Sequence, residues 1–185
     1  MRVITGSARG KRLRELEGME TRPTTDRVKE SIFNIVQFDV EGRKVLDLFG
    51  GTGQLGIEAL SRGAASCTFV DLRRDAVNVI KDNLKATRLE DKGQVFQGDS
   101  IAWLRSCRQK FDLIFLDPPY ASGLLQQALE VGCDIDILTE NGIMVCESAV
   151  DTQLPELRAP YVKGREYRYG KIKVTVYRRG LNAQP

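Results

Sequence analysis

"VLDLFGGTGQLGIEAL", residues 45–60, is the stretch on which the reading of the whole chain turns. A strand, KVLDLF (44–49), runs into a glycine-rich turn, and a helix, QLGIEALSRG (54–63), leaves it and is closed by Gly63. Gly51, Gly53 and Gly56 fit the spacing G-x-G-x-x-G, and Asp71 ends the next strand. Taken alone, these features read as a site for a nicotinamide dinucleotide, with Asp71 on a ribose.

Working outward from this loop, strands and helices alternate. SCTFVD (66–71), GQVFQ (93–97), FDLIFLD (111–117) and GIMVCES (142–148) read as strands. RRDAVNVIKDNLKAT (73–87), SIAWLRSC (100–107) and SGLLQQALEV (122–131) read as helices, the first with Ala76, Val79, Ile80 and Leu84 turned inward. This alternation predicts an α/β fold, a doubly wound and mostly parallel sheet with helices on both faces. REYRYGKIKVTVYRR (165–179) reads as a hairpin turning near Gly170, which adds an antiparallel C-terminal edge.

Ahead of the loop, RVITGSARGKRL (2–13) reads as a small basic β-hairpin, an N-terminal extension over residues 1–20. Behind Arg22-Pro23, Val28, Ile32, Ile35 and Val36 recur at helical spacing, with Thr24 or Thr25 as the cap and Asp26 in the first turn. The chain shows no repeat, low-complexity segment or linker, so residues 1–185 are expected to form one domain.

Three features pull the glycine loop away from a dinucleotide. Asp47 lies at the end of the strand just before the glycines, where its charge would repel a pyrophosphate. A cationic ligand would welcome that carboxylate, and S-adenosylmethionine carries a sulfonium and an ammonium. QGDS (97–100) ends the third strand with Asp99, and IFLDPPY (114–120) ends the fourth with Asp117. All four acids thus fall at the carboxyl ends of strands, where open α/β sheets bind ligands. The plain structural alternative for each is a helix cap.

Asp117, Pro118, Pro119 and Tyr120 together suit the grip of an amine-bearing base. Each proline fixes its own φ and restricts the residue before it, so the Asp117 side chain and the Pro118 carbonyl are held rigidly. Both accept hydrogen bonds, and an exocyclic amine has two N–H donors to give. Holding both leaves the nitrogen lone pair to face an electrophile, while Tyr120 stacks on the base. The structural alternative is a rigid exit from a strand.

Composition narrows the chemistry further. There is no histidine, so Ser-His and Cys-His mechanisms are excluded and a zinc site is disfavoured; no metal is expected. Cys67, Cys107, Cys133 and Cys146 lack a CxxC spacing and read as reduced thiols. Neither a secretory signal nor a membrane span is visible, and a cytoplasmic location is expected. Net charge is only +3, but Arg2, Arg9, Lys11, Arg12 and Arg14 precede the first acid. A second basic cluster runs from Lys163 to Arg179, and two basic ends suit a polyanionic partner.

DLFGGTG with DPPY is similar to class I S-adenosylmethionine-dependent amino-methyltransferases, which are Rossmann-like. RPTTDRVKESIFNI (22–35), VLDLFGGTGQLGIEALSRGA (45–64) and FDLIFLDPPY (111–120) together resemble the RsmD family of 16S ribosomal RNA guanine-N2 methyltransferases. The resemblance implies S-adenosylmethionine as cofactor and small-subunit ribosomal RNA, or the small subunit, as partner; a monomer is the default expectation. It implies that Asp47, Gly51 and Gly53 line the methionine end of the cofactor, Asp71 its ribose and Asp99 its adenine, with Phe49, Leu72 and Ser100 beside them. It implies that residues 117–120 hold the guanine. Arg2, Arg9, Lys11, Arg12, Arg22, Thr24 and Arg27 would serve the RNA. Gly50 departs from the family's usual alanine, a change expected to affect loop flexibility.

Competing readings are an adenine-N6 methyltransferase of DNA or RNA, which shares DPPY, a nicotinamide-dependent oxidoreductase, and a non-catalytic RNA-binding factor on the same fold.

Overall fold

The computed structural model describes residues 1–18 and 25–180. Seven strands form one sheet in the order β3-β2-β1-β4-β5-β7-β6. The parallel part comprises β1 (Lys44–Asp47), β2 (Ser66–Asp71), β3 (Gly93–Gln97), β4 (Phe111–Leu116) and β5 (Leu138–Ala149). β6 (Tyr161–Tyr169) and β7 (Ile172–Arg179) complete it as an antiparallel hairpin whose turn holds Gly170 at φ 60. The order reverses between β1 and β4, so successive crossovers depart to opposite sides there and leave a crevice at the strands' carboxyl ends.

Helices cover both faces, as the apolar spacing requires. α1 (Asp26–Ile35), α2 (Gln54–Ser61) and α3 (Arg74–Ala86) bury Phe33, Ile57 and Ile80 against one face. α4 (Ser100–Ser106) and α5 (Leu124–Asp134) bury Leu104 and Leu129 against the other. Thr25 caps α1, its hydroxyl accepting from Val28 N at 3.3 Å. Gly56 allows the close approach of α2 to β2, since a Cβ there would lie 2.3 Å from the Phe69 ring. A Cβ at Gly50 would meet Ile80 Cδ1 at 2.8 Å, the movable end of a side chain, so an alanine there would require only a shift of Ile80.

One expectation is refined. Residues 2–13 form a short irregular hairpin without regular strands: Val3 N donates to the Lys11 carbonyl and Gly10 N to the Val3 carbonyl, both at 2.9 Å, Leu13 N donates to the Met1 carbonyl at 3.1 Å, an antiparallel bridge joins Arg2 and Arg12, and turns lie between. Three further backbone donors go to side chains of α2. Ile4 N and Thr5 N donate to the Glu58 carboxylate at 2.9 and 3.0 Å, and Ala8 N donates to Ser61 Oγ at 2.9 Å. Val3, Ala8 and Leu13 are buried in the core, so this segment is docked along its length. Lys29 of the RPTTDRVKE block turns inward. It is fully buried with Glu58, 3.6 Å from its carboxylate, and donates to the Arg2 carbonyl at 2.5 Å. Burial pulls the Lys29 amine below its ordinary range, and Glu58 opposes that shift. Arg62 completes the group, donating to Glu58 at 3.0 Å and lying over the Phe33 ring.

A buried ion pair that loses one member leaves a desolvated charge behind. Glu58→Ala is therefore expected to lower the free energy of unfolding by about 3–5 kcal/mol in urea titrations. A loss under about 1 kcal/mol, the range of surface pairs, would show that the network is not holding the segment.

Candidate active site

At the crevice between β1 and β4 lies a cavity of about 710 Å³, within the usual size range of small-molecule sites. Its wall contains Asp47, Phe49, Gly51, Asp71, Leu72, Asp99 and Ser100 on one side and Asp117, Pro118, Pro119 and Tyr120 on the other. One site thus gathers residues from four strand ends. Among the cofactor and amine-clamp candidates, Gly53 is the one that does not line it. It stands behind the wall at φ 80, as the N-cap of α2, packed near Ile80 and Ile57.

Each acid is held differently. Asp47 is buried and accepts from Gly56 N at 3.1 Å, inside the first turn of α2. Burial pushes its carboxyl up to about 7, and the nearby Asp71 adds to the shift. Asp71 accepts from Gly51 N and from Arg73 N, both at 2.9 Å, which fixes the carboxylate against the glycine loop. Asp99 realises the capping alternative: its Oδ1 accepts from Ala102 N at 2.7 Å, while the residue still faces the cavity. Ser100 donates to the Leu48 carbonyl at 2.8 Å and ties α4 to the end of β1.

The DPPY segment leaves β4 without further strand pairing. Tyr120 keeps a part-exposed ring and donates to Glu147 Oε1 at 3.2 Å. Ser122 donates to the Pro119 carbonyl at 2.6 Å, and Ala121 adopts φ 59, so the loop turns sharply before α5. Asp112, the charge inside the β4 run, braces the sheet. It accepts from Lys44 N at 2.8 Å and from the Thr139 hydroxyl at 2.6 Å.

Sequence reasoning missed several wall residues. Glu15 and Leu16 come from the docked N-terminal segment, Gln54 from α2, Leu124 from α5 and Glu147 from β5. Glu147 carried a legible signal, since it too is an acid near a strand's carboxyl end. The others arrive through tertiary packing. Arg2 and Arg12 line a separate hollow of about 520 Å³ that shares Met1 and Glu15 with the main cavity. Arg9, Lys11 and Arg27 are exposed, Arg2 pairs with Asp26 at 3.3 Å, and Arg22 and Thr24 lie outside the described residues. Among the described residues no group of acids and cysteines is placed to hold a metal ion, and no helix is long and apolar enough to cross a membrane.

Comparison with known proteins places this geometry in a family. The family model described as "Conserved hypothetical protein 95" matches residues 1–178. Ribosomal RNA small subunit methyltransferase D of Haemophilus influenzae is 36% identical over 83% of this chain and 81% of its own. YlbH of Bacillus subtilis is 42% identical over 97% of this chain and 99% of its own. The chain belongs to the RsmD family of S-adenosylmethionine-dependent methyltransferases. The solved structure of yhhF from Escherichia coli superposes with a TM-score of 0.88, at 32% identity over 98% of this chain and 99% of that one. Family membership, with a buried acid ahead of the glycines, decides against the nicotinamide reading.

Asp47 gives a pH prediction. Its folded-state value near 7 lies above the unfolded 3.8, so the folded protein binds more protons between these values and loses stability as pH rises through them. In thermal melts of the ligand-free protein, Asp47→Asn is expected to flatten the decline between about pH 4 and about pH 7 and to raise the midpoint at neutral pH. An unchanged slope would contradict the burial account.

Proposed function

We propose that this protein methylates the exocyclic N2 amine of a guanine in small-subunit ribosomal RNA, acting in the cytoplasm as a monomer with S-adenosylmethionine as methyl donor. The observation that carries this reading is the single cavity joining the glycine-loop acids to DPPY. The names of the relatives support an RNA of the small ribosomal subunit as the partner.

The cavity's chemistry fits the cofactor. The buried Asp47 suits a cationic amino-acid end, because a cation would restore the charged form that burial disfavours. Gln54 Oε1 is buried in the same wall with no hydrogen-bond donor within reach, so an ammonium or hydroxyl would satisfy it. Asp71, already fixed by two backbone amides, retains acceptor sites for ribose hydroxyls. Leu72, 64% exposed in the cavity wall, offers apolar surface for an adenine face to cover. A Cβ at Gly51 would point into open space at the cavity, so glycine there serves the φ of 57 and the close approach of a ligand. When bound, the cofactor supplies a methyl on a sulfonium, whose carbon–sulfur bond breaks with its electrons staying on sulfur.

The chain's own residues do the rest. Asp117 and the Pro118 carbonyl hold the two N–H groups of the amine and aim its lone pair. Tyr120 supports the face of a base extruded from its stack. The amine proton becomes acidic only as the new nitrogen–carbon bond forms, and Asp117 is the acceptor beside it. The exposed Arg9, Lys11, Arg12 and Arg27 grip phosphates, which makes binding weaken with salt.

Two variants separate these roles. Asp117→Ala is expected to cut turnover on unmodified small subunits by about a hundredfold or more while calorimetry shows cofactor affinity within about threefold of wild type. Asp71→Ala is expected to weaken cofactor binding by about tenfold or more and to recover turnover at saturating cofactor. If both variants lower both quantities alike, the division of labour across the cavity is wrong.

A further inference from the structure

We infer that Glu147 selects guanine over the other amine-bearing bases by accepting the N1–H of the target. This inference deepens the guanine-N2 reading and rests on it. Glu147 belongs to β5, the strand beside β4, and the parallel register pairs Leu116 with Cys146. The next residue on each strand is therefore an acid, Asp117 on one and Glu147 on the other, and both face the cavity. Glu147 is only 5% exposed, and its Oε1 accepts the Tyr120 hydroxyl at 3.2 Å. A carboxylate offers about four acceptor sites, so it can meet several donors at once.

The chemistry of the bases does the discriminating. Once an exocyclic amine is held at Asp117, the ring nitrogen next to it decides what can sit opposite a second acceptor. In guanine that nitrogen is N1–H, a donor. In adenine (N1) and in cytosine (N3) it is a bare acceptor, which a desolvated carboxylate repels. An amine clamp alone is indifferent to this distinction, because all three bases carry the same NH2 group. Glu147, level with the clamp and buried, supplies the missing discrimination. A site built around a substrate N–H rejects the analogue lacking it far more strongly than shape can, because its own polar group is then left unpaired.

The test uses 2-aminopurine, which keeps the 2-amine of guanine but has a bare N1. Small subunits are reconstituted with ribosomal RNA carrying either guanine or 2-aminopurine at the methylated position, once mass spectrometry has located it. Wild type is expected to prefer guanine in kcat/KM by roughly a hundredfold or more. Glu147→Gln, whose amide can also donate, is expected to shrink that ratio at least about tenfold with cofactor affinity unchanged. The intrinsic reactivity difference of the two amines cancels, because it is common to both enzymes. Tyr120→Phe removes the hydroxyl bound to Glu147 and keeps the ring. If Glu147 acts on the base, Tyr120→Phe keeps the wild-type ratio whatever its turnover; if Glu147 only positions Tyr120, both variants shift it alike and the inference falls. Should Glu147→Gln not fold, Glu147→Asp withdraws the carboxylate by one methylene and is expected to lower the ratio in the same direction. N2-methylguanosine formed with an unchanged ratio in the Glu147 variants overturns this inference alone. Its absence with wild type overturns the reaction and the inference with it.

Discussion

The reversal of strand order between β1 and β4 is the constraint from which the site follows. A sheet wound in one direction throughout would send every crossover to the same face and close its own carboxyl edge. Here the connections from β1 leave to one side and those from β4 to the other. The edge between them cannot be filled by either helix layer. Asp47 and Asp117 stand on opposite lips of that gap, one at the end of β1 and the other just beyond β4. The acids there are costly to the fold, as the raised carboxyl of Asp47 shows, and a cationic ligand offsets that cost.

The docked N-terminal segment gives the cavity a third wall. Glu58 gathers the backbone amides of Ile4 and Thr5 together with Lys29 and Arg62. Farther along, Asn83 of α3 accepts from Arg14 N at 2.7 Å and donates to the Thr52 carbonyl at 2.9 Å. One buried side chain thus joins the basic segment to the glycine loop. This arrangement links the surface proposed to meet phosphates to the loop proposed to meet the cofactor through fixed hydrogen bonds. Such a link makes the N-terminal residues part of the site's framework as well as of its outer surface.

The fold was legible because its signals are local. The 2-residue and 3.6-residue periods named every strand and helix of the alternating region, and DPPY at the end of β4 marked where to look. What was illegible depends on partners distant in sequence. Lys29 looks like a solvent-facing helix residue until Glu58, on another helix, is seen beside it. Residues 2–13 alternate like a hairpin and pair as an irregular one, but the amides of Ile4, Thr5 and Ala8 are met by α2 side chains, which no local pattern announces. β5 begins earlier than its apolar run because Leu138 pairs with Phe111 across a register shift. Glu147 was passed over because one acid near a strand end is ordinary until the register puts it level with Asp117.

The central claim is that an amine clamp and a cofactor site share one cavity and act on a guanine. The most direct measurement is methyl transfer from labelled S-adenosylmethionine to unmodified small ribosomal subunits, with the RNA digested to nucleosides and resolved by mass spectrometry. Label is expected in N2-methylguanosine. Label in N6-methyladenosine or in a methylated cytidine would keep the clamp and contradict the guanine assignment. No labelled nucleoside from subunits or from naked RNA would contradict the claim as a whole.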